Sequence, residues 1–589
     1  MLTQRTRRRA LRALSAASLL ACLWTSSATA SPVLLAGAGS EKVNSTEIVL
    51  VQKGEKSVVT ILPDYQGPLS SFAVIVPIPK DVALDRVTTL KREFIDRVAT
   101  VSAPKFAEFW EMDPCSDEKF EQDWQRDMTA KDDTGFLGTM KTDPKTKVAK
   151  EMLLDVKAKT KDGEYKETVV GSAAVIKKWL AGKDYKLPSG ADASFKEYEA
   201  AGYQFMALDV DTNRMELVGG DRAILSPIRY WTGSKVTKIP TRFGLPSAGK
   251  MQELQIFSLV PEQRMQVTNY PTKAAPTNLR VVNEYVASED KKFNLKEKIG
   301  EFYAALHDAF AKKNKNTVLA EYAWPSDDCG KPCSTEPLLP HELLSLGGDV
   351  FEADLPEDVR RPKPPEMTDE EKMKLEALLA GKEGAAAKKE AEEQFEADRE
   401  ELVARKGILA RNKYILSRLH YRYTAAGMPK DMELGAGAAI TGGVDLPKGE
   451  NAAADTSVKP SDKNQFQSRY NGVYDNKVVV KCDDPKHHRF GKAPRSYRGL
   501  RKIWVAEDLA RRNRGRIDLE KAVLTPVPDL GLSGVKKPEE KPAAMAAEAE
   551  KKDEGGCSVH QGALPNGTPW ALFAGLVGLT AWARRRRES

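Results

Sequence analysis

The last 35 residues decide where the rest of the chain must fold. They run Gly555-Gly556-Cys557-Ser558, a short spacer, an apolar segment 568–583 and the cluster Arg584-Arg585-Arg586-Arg587. Arginines resist leaving the cytoplasm while an apolar run sits in lipid, so the chain before this tail is expected outside. At ~1.5 Å per residue, the segment 568–583 makes a transmembrane helix of about 24 Å, short of the ~30 Å hydrocarbon layer and better suited to a transient anchor. An ordinary tail anchor would account for the helix and the arginines but not for Gly555 to Ser558. The other end agrees: Arg5, Arg7, Arg8, Arg9 and Arg12 precede the apolar run Leu14 to Trp24, and Ala28-Thr29-Ala30 offers small residues for cleavage before Ser31. This is the pattern of a secretory signal peptide. A twin-arginine reading of Thr6 to Arg12 lacks the following aromatic, and a lipobox at Leu20-Ala21-Cys22 would cut inside the apolar run.

Charge and cysteines then narrow the class. The formal charge is +7, but residues 1–30 carry five arginines and no acid and residues 557–589 four arginines and one glutamate, which leaves the mature part at −1. No basic surplus remains to hold a nucleic acid. The mature part keeps Cys115, Cys329, Cys333 and Cys482. Four cysteines in an oxidising compartment imply two disulfides with three pairings open, of which Cys329–Cys333 and Cys115–Cys482 is the expected one.

The interior reads as sheet. Thr46 to Val51 and Ser57 to Leu62 alternate about Lys53-Gly54-Glu55 as a hairpin, and Phe72 to Pro79 is an apolar strand that its prolines would place at a sheet edge. The spacing of Phe106, Phe109 and Trp110 predicts a helix over 104–110. Residues 115–163 are Lys- and Asp-rich surface. Glu164 to Val170 returns to strand, and a helix 173–180 turns Val175, Ile176 and Trp179 inward. Strands are expected at 203–210, 223–231, 254–260, 265–268, 279–286, 317–322, 411–424 and 477–481, with a helix carrying Ile299, Phe302, Leu306 and Phe310 on one face. From 356 the composition changes: Pro362, Pro364 and Pro365 stiffen a spacer, Thr368 and Glu371 form a capping box, and a helical hairpin rich in Ala, Lys and Glu, broken at Gly381 and Gly384, reads as solvated.

Two resemblances follow from these residues. Gly556, Cys557, Ser558, the apolar helix and Arg584 to Arg587 resemble a MYXO-CTERM sorting signal, which implies that a sorting protease cuts near Cys557 and that the cysteine becomes lipid-modified. The hairpin, Val74 to Pro79, Phe109 to Cys115, Val175 to Leu180, Leu225 to Arg229, Ile239 to Gly244, Glu321 to Trp324 and Leu416 to Thr424 together resemble the secreted bacterial domain-of-unknown-function family 2330. That resemblance implies the extent of the domain and no reaction.

Chemistry is sparse in the letters. His341-Glu342-Leu343-Leu344-Ser345 opens like a zinc-protease motif but has Ser345 where the second histidine must stand. Cys329, Cys333 and Cys482 with His487 or His488 could supply zinc ligands, yet disulfide formation competes for the thiols. His307 and His420 sit among apolar neighbours and read as core histidines. No nucleophile elbow, phosphate loop or dinucleotide fingerprint is present. Neither metal nor cofactor is expected, and the chain leans away from an enzyme.

The expectation is an α+β, sheet-rich ectodomain with helical insertions, displayed at the cell envelope as a binding or structural module. Its parts are a signal peptide 1–30, a sheet-rich core 31–355, a charged helical insertion 356–406, the remainder of the ectodomain 407–531, a Lys/Glu/Ala/Pro tether 532–556 and the sorting signal 557–589. Expected partners are the membrane, signal peptidase, the sorting protease and an envelope ligand. The rival readings are an envelope hydrolase whose carboxylates meet only in the fold, and an assembly or sorting factor for surface proteins.

Overall fold

The computed structural model describes residues 31–111, 114–115, 163–219, 222–282, 284–288, 291–294, 299–329, 336–444, 455–474, 481–486, 490–491 and 518–523. The segments read from the sequence as signal peptide, tether, sorting signal and transmembrane helix, and most of the strand expected at 477–481, lie outside these residues. Among the described residues no helix is long and apolar enough to cross a membrane.

Five strands form the middle of the large sheet: β1 (Val43–Lys53), β2 (Lys56–Gln66), β3 (Ala248–Val260), β4 (Val318–Pro325) and β5 (Ile415–Tyr423). Their spatial order is β4-β5-β3-β1-β2. The β1–β2 hairpin closes with Lys53 opposite Lys56, and Gly54 takes the left-handed φ of 59° that a side chain would resist. β3 lies parallel to β1 and antiparallel to β5, so strands distant in sequence meet at the centre. Period-two alternation sends Val49, Val51, Val58 and Leu62 to one core and Ile48, Leu50, Val59 and Ile61 to another, which is why the hairpin reads as almost continuously apolar. Two helices cover the first of these faces: α1 (Arg92–Val101) and α2 (Ile299–Lys313).

A second sheet of Leu34–Ala36, Phe72–Pro79, Tyr203–Val210 and Tyr165–Gly171 packs on the opposite face. Val74, Val76 and Ile78 enter the core shared with the large sheet, while Ala73 and Ile75 meet the helices Ala173–Ala181 and Ala191–Ala200. The protein is therefore α+β, sheet-rich with several helices.

Several expectations need correction. Phe72–Pro79 is an inner strand; its short neighbour pairs only Ala73 to Ile75, so Pro77 and Pro79 lie where one side of the strand has no described partner and a missing N–H costs nothing. The helix expected over 104–110 is a strand, Lys105–Glu111, because Arg469–Tyr474 pairs beside it in parallel. Val175 is 46% exposed while Ile176 and Leu180 carry the buried face of their helix. The strand expected at 223–231 breaks before Pro227 into Arg222–Ile224 and Ile228–Thr232, both still paired to β2. That expected at 279–286 also divides, Leu279–Val282 joining Arg469–Tyr474 and Glu284–Ser288 pairing Lys291–Asn294.

The charged insertion is a helical hairpin. Glu371 N donates to Thr368 Oγ1 (3.2 Å) and Thr368 N to Glu371 Oε2 (2.8 Å), which makes the capping box reciprocal. Asp369–Ala380 buries no residue and Ala385–Arg411 only Ala391 and Ile408. The second helix runs past 406 because Arg411 and Asn412 both grip the buried Glu352 (2.7–3.1 Å). The strand expected from 411 accordingly starts at Ile415.

Candidate functional site

Alternation along β5 turns Leu416, Arg418, His420 and Arg422 to the helix-covered face and Leu419, Tyr421 and Tyr423 to the other core. On β3 the register puts Gln255 opposite His420 and Glu253 opposite Arg422. On β4 a register shift between Ala320 and Tyr322 leaves Glu321 as an extra residue, and this bulge re-aims the carboxylate toward the helix face. Helix α2 completes the group: Tyr303 and His307, four residues apart, project together over β5, and their rings lie 4.4 Å apart.

The result is an ionic network buried at its centre and reaching the surface at Asp308. His420 Nε2 lies 2.7 Å from Glu253 Oε2, and its Nδ1 lies 3.3 Å from Glu321 Oε1 and 3.2 Å from the Tyr303 hydroxyl. His307 Nε2 reaches the same Glu321 Oε1 at 3.0 Å, and Tyr303 OH donates to it as well. Arg418 Nε donates to Glu321 Oε2 at 2.7 Å, Arg418 Nη1 to Ala99 O of α1 at 3.0 Å, and Arg422 pairs with Glu253 and with Asp308 at 2.6 Å. Side chains of Arg418, His420, Glu253 and Glu321 are 0% exposed and that of His307 is 3% exposed.

Charge follows geometry. Burial would raise both carboxyls, but Arg418 and His420 hold Glu321 well below the usual carboxylate range, and Arg422 and His420 hold Glu253 below it. Burial lowers His307 to about 4, with His420 adding to the effect. His420 rises despite burial because Glu321 and Glu253 flank it. Burial, with Glu321 next, raises Tyr303 well above its ordinary value. Among the described residues, His307, Glu321 and His420 form a group that could hold a metal ion, their ligand atoms all within 4.8 Å of one another.

Of the residues singled out from the sequence, Cys115 and Cys482 form a disulfide with Cα atoms 5.6 Å apart, and Lys486 N bonds Pro114 O (2.9 Å) alongside it. Cys482 is therefore no thiolate ligand. Cys329 is also disulfide-bonded; Cys333, His487 and His488 lie outside the described residues, as do Ala28, Ala30, Gly556, Cys557, Ser558 and Arg584 to Arg587. Glu342 of the failed zinc-protease motif is taken by Arg97 Nε (2.6 Å) and Leu339 N (2.8 Å). His307 and His420 are core histidines as read, but sequence reasoning missed that they share a carboxylate with each other. Glu321, Arg418, His420 and Arg422 fall inside two segments that carried the family resemblance, and ionisable residues at alternate positions of a strand otherwise packed with Leu and Tyr were the available signal.

Comparison with known proteins gives one result. The family model described as "Uncharacterized protein conserved in bacteria (DUF2330)" matches residues 26–435, which include every member of the network. No curated protein and no solved structure matches. The chain belongs to the DUF2330 family of uncharacterized proteins conserved in bacteria.

Proposed function

We propose that this protein is an exported domain held at the cell envelope, acting there by binding or as a structural element and not by catalysis. The observation that carries the reading is the Cys115–Cys482 bond, which ties together segments 367 residues apart in sequence and needs an oxidising compartment to form. The terminal segments supply the route: signal-peptide cleavage after Ala30, sorting at Gly556-Cys557-Ser558, lipid attachment at Cys557, and a membrane stop at Arg584 to Arg587. The hydrolase reading asks for two facing acids with one kept protonated. Glu253 and Glu321 do face each other across His420, but each is ion-paired to an arginine and buried, so neither is poised to give up a proton to a substrate. Protease treatment of intact cells, followed by immunodetection in cell fractions, tests the placement. The domain should be released or digested without lysis and partition with the envelope; protection from protease together with recovery in the cytosol would overturn it.

A further inference from the structure

We propose that Glu321 Oε1, His307 Nε2, His420 Nδ1 and the Tyr303 hydroxyl bind one divalent zinc ion as a closed, structural site. The spacing fits for the three stronger donors: Oε1 lies 3.0 Å from His307 Nε2 and 3.3 Å from His420 Nδ1, and the three atoms lie within 4.8 Å of one another, while the Tyr303 hydroxyl, 3.2 Å from His420 Nδ1, would give up its hydrogen bond to Oε1 to take the fourth position. A tetrahedron with arms of ~2.0–2.1 Å has edges of about 3.3 Å. Two imidazoles and two oxygens form a donor set suited to zinc, and four protein ligands leave no open position, which marks a structural site.

The surroundings are those of a metal site's outer shell. Glu253 holds His420 Nε2 at 2.7 Å, fixing the ring so that Nδ1 points inward, and Arg418 holds Glu321 Oε2 at 2.7 Å, leaving Oε1 for the ion. The ion would join α2, β4 and β5, and the ligands Glu321 and His420 stand 99 residues apart.

The inference does not depend on export. Its test is metal analysis of the full chain purified with its disulfides intact and dialysed against zinc. About one zinc per chain is expected, with loss of several degrees in Tm on chelation and, after cobalt substitution, the visible bands of tetrahedral nitrogen and oxygen ligation without thiolate charge transfer. His307→Gln should lose the zinc while keeping its far-UV circular dichroism. Should that variant fail to fold, the wild-type cobalt spectrum and the chelation shift decide alone. A wild-type protein that takes up less than about a tenth of a zinc per chain, a cobalt spectrum dominated by thiolate, or a folded His307→Gln that binds as much zinc as wild type overturns the site.

Discussion

Replacing Glu47 with glutamine should stabilise the protein above neutrality and leave it unchanged near pH 4.5. Glu47 lies on β1 opposite Gln255, on the same face as the ionic network, and its Oε2 is sealed from solvent with no hydrogen-bond partner. Burial, and then the nearby Asp96, raise its pKa from 4.5 to about 7, outweighing the lowering by Arg418, Arg92 and His420. An acid whose folded pKa is raised keeps its full share of stability below the unfolded pKa and loses it as pH climbs through the folded one. Wild type therefore loses stability between pH 4.5 and about 7 through this group. At ~1.4 kcal/mol per unit the span amounts to roughly 3 kcal/mol, and because Glu47 as a residue keeps some solvent contact, an effect of about 1–3 kcal/mol is expected. Glutamine has the same shape and nothing to ionise. Urea unfolding of both proteins, followed by tryptophan fluorescence, should give variant and wild-type curves that converge near pH 4.5 and separate by that amount near pH 8. A difference that stays flat with pH, or a variant less stable at about pH 8, would refute the reasoning.

Other parts of the structure make their own demands. Cys115→Ser should cost about 2–5 kcal/mol, since the bond closes a loop of 367 residues and such loops lie at the upper end of the entropy estimate; differential scanning calorimetry with and without reductant checks it, and only wild type should respond to the reductant at this bond. Arg418→Met strands Glu321 in a site with 0% exposure and should destabilise by about 3–5 kcal/mol in denaturant titrations, whereas Arg418→Met combined with Glu321→Gln should recover a large part of the loss. Excising residues 366–398 and rejoining the chain should shift stability by no more than about 1 kcal/mol, because Arg399 Nη2 already meets Pro365 O at 2.8 Å and the removed helical residues bury only Ala391; thermal unfolding monitored by circular dichroism measures it.

Much of the sheet was legible because its signals are local. The β1–β2 hairpin carries alternation on both sides of Gly54, and the capping box of Thr368 and Glu371 is complete within four residues. What failed depended on partners far along the chain. Phe106, Phe109 and Trp110 have helical spacing, but the neighbouring strand is supplied by Arg469–Tyr474. Pro77 and Pro79 imply an edge only if the edge runs the whole length of the strand, and here a three-residue neighbour covers Ala73 to Ile75. The site was the least legible part. His307 and His420 each sit in apolar surroundings that read as core, and both lie 14 and 99 residues from the Glu321 they share. A single bulge residue on β4 decides that Glu321 faces them, and no periodicity in the sequence marks it.

Non-reducing peptide mapping by mass spectrometry of the protein recovered from the envelope fraction tests the account most directly. It should yield a Cys115–Cys482 linked peptide pair, an amino terminus at Ser31 and a carboxyl end processed near Cys557. A full-length chain from the cytosol with all its thiols free would contradict the account.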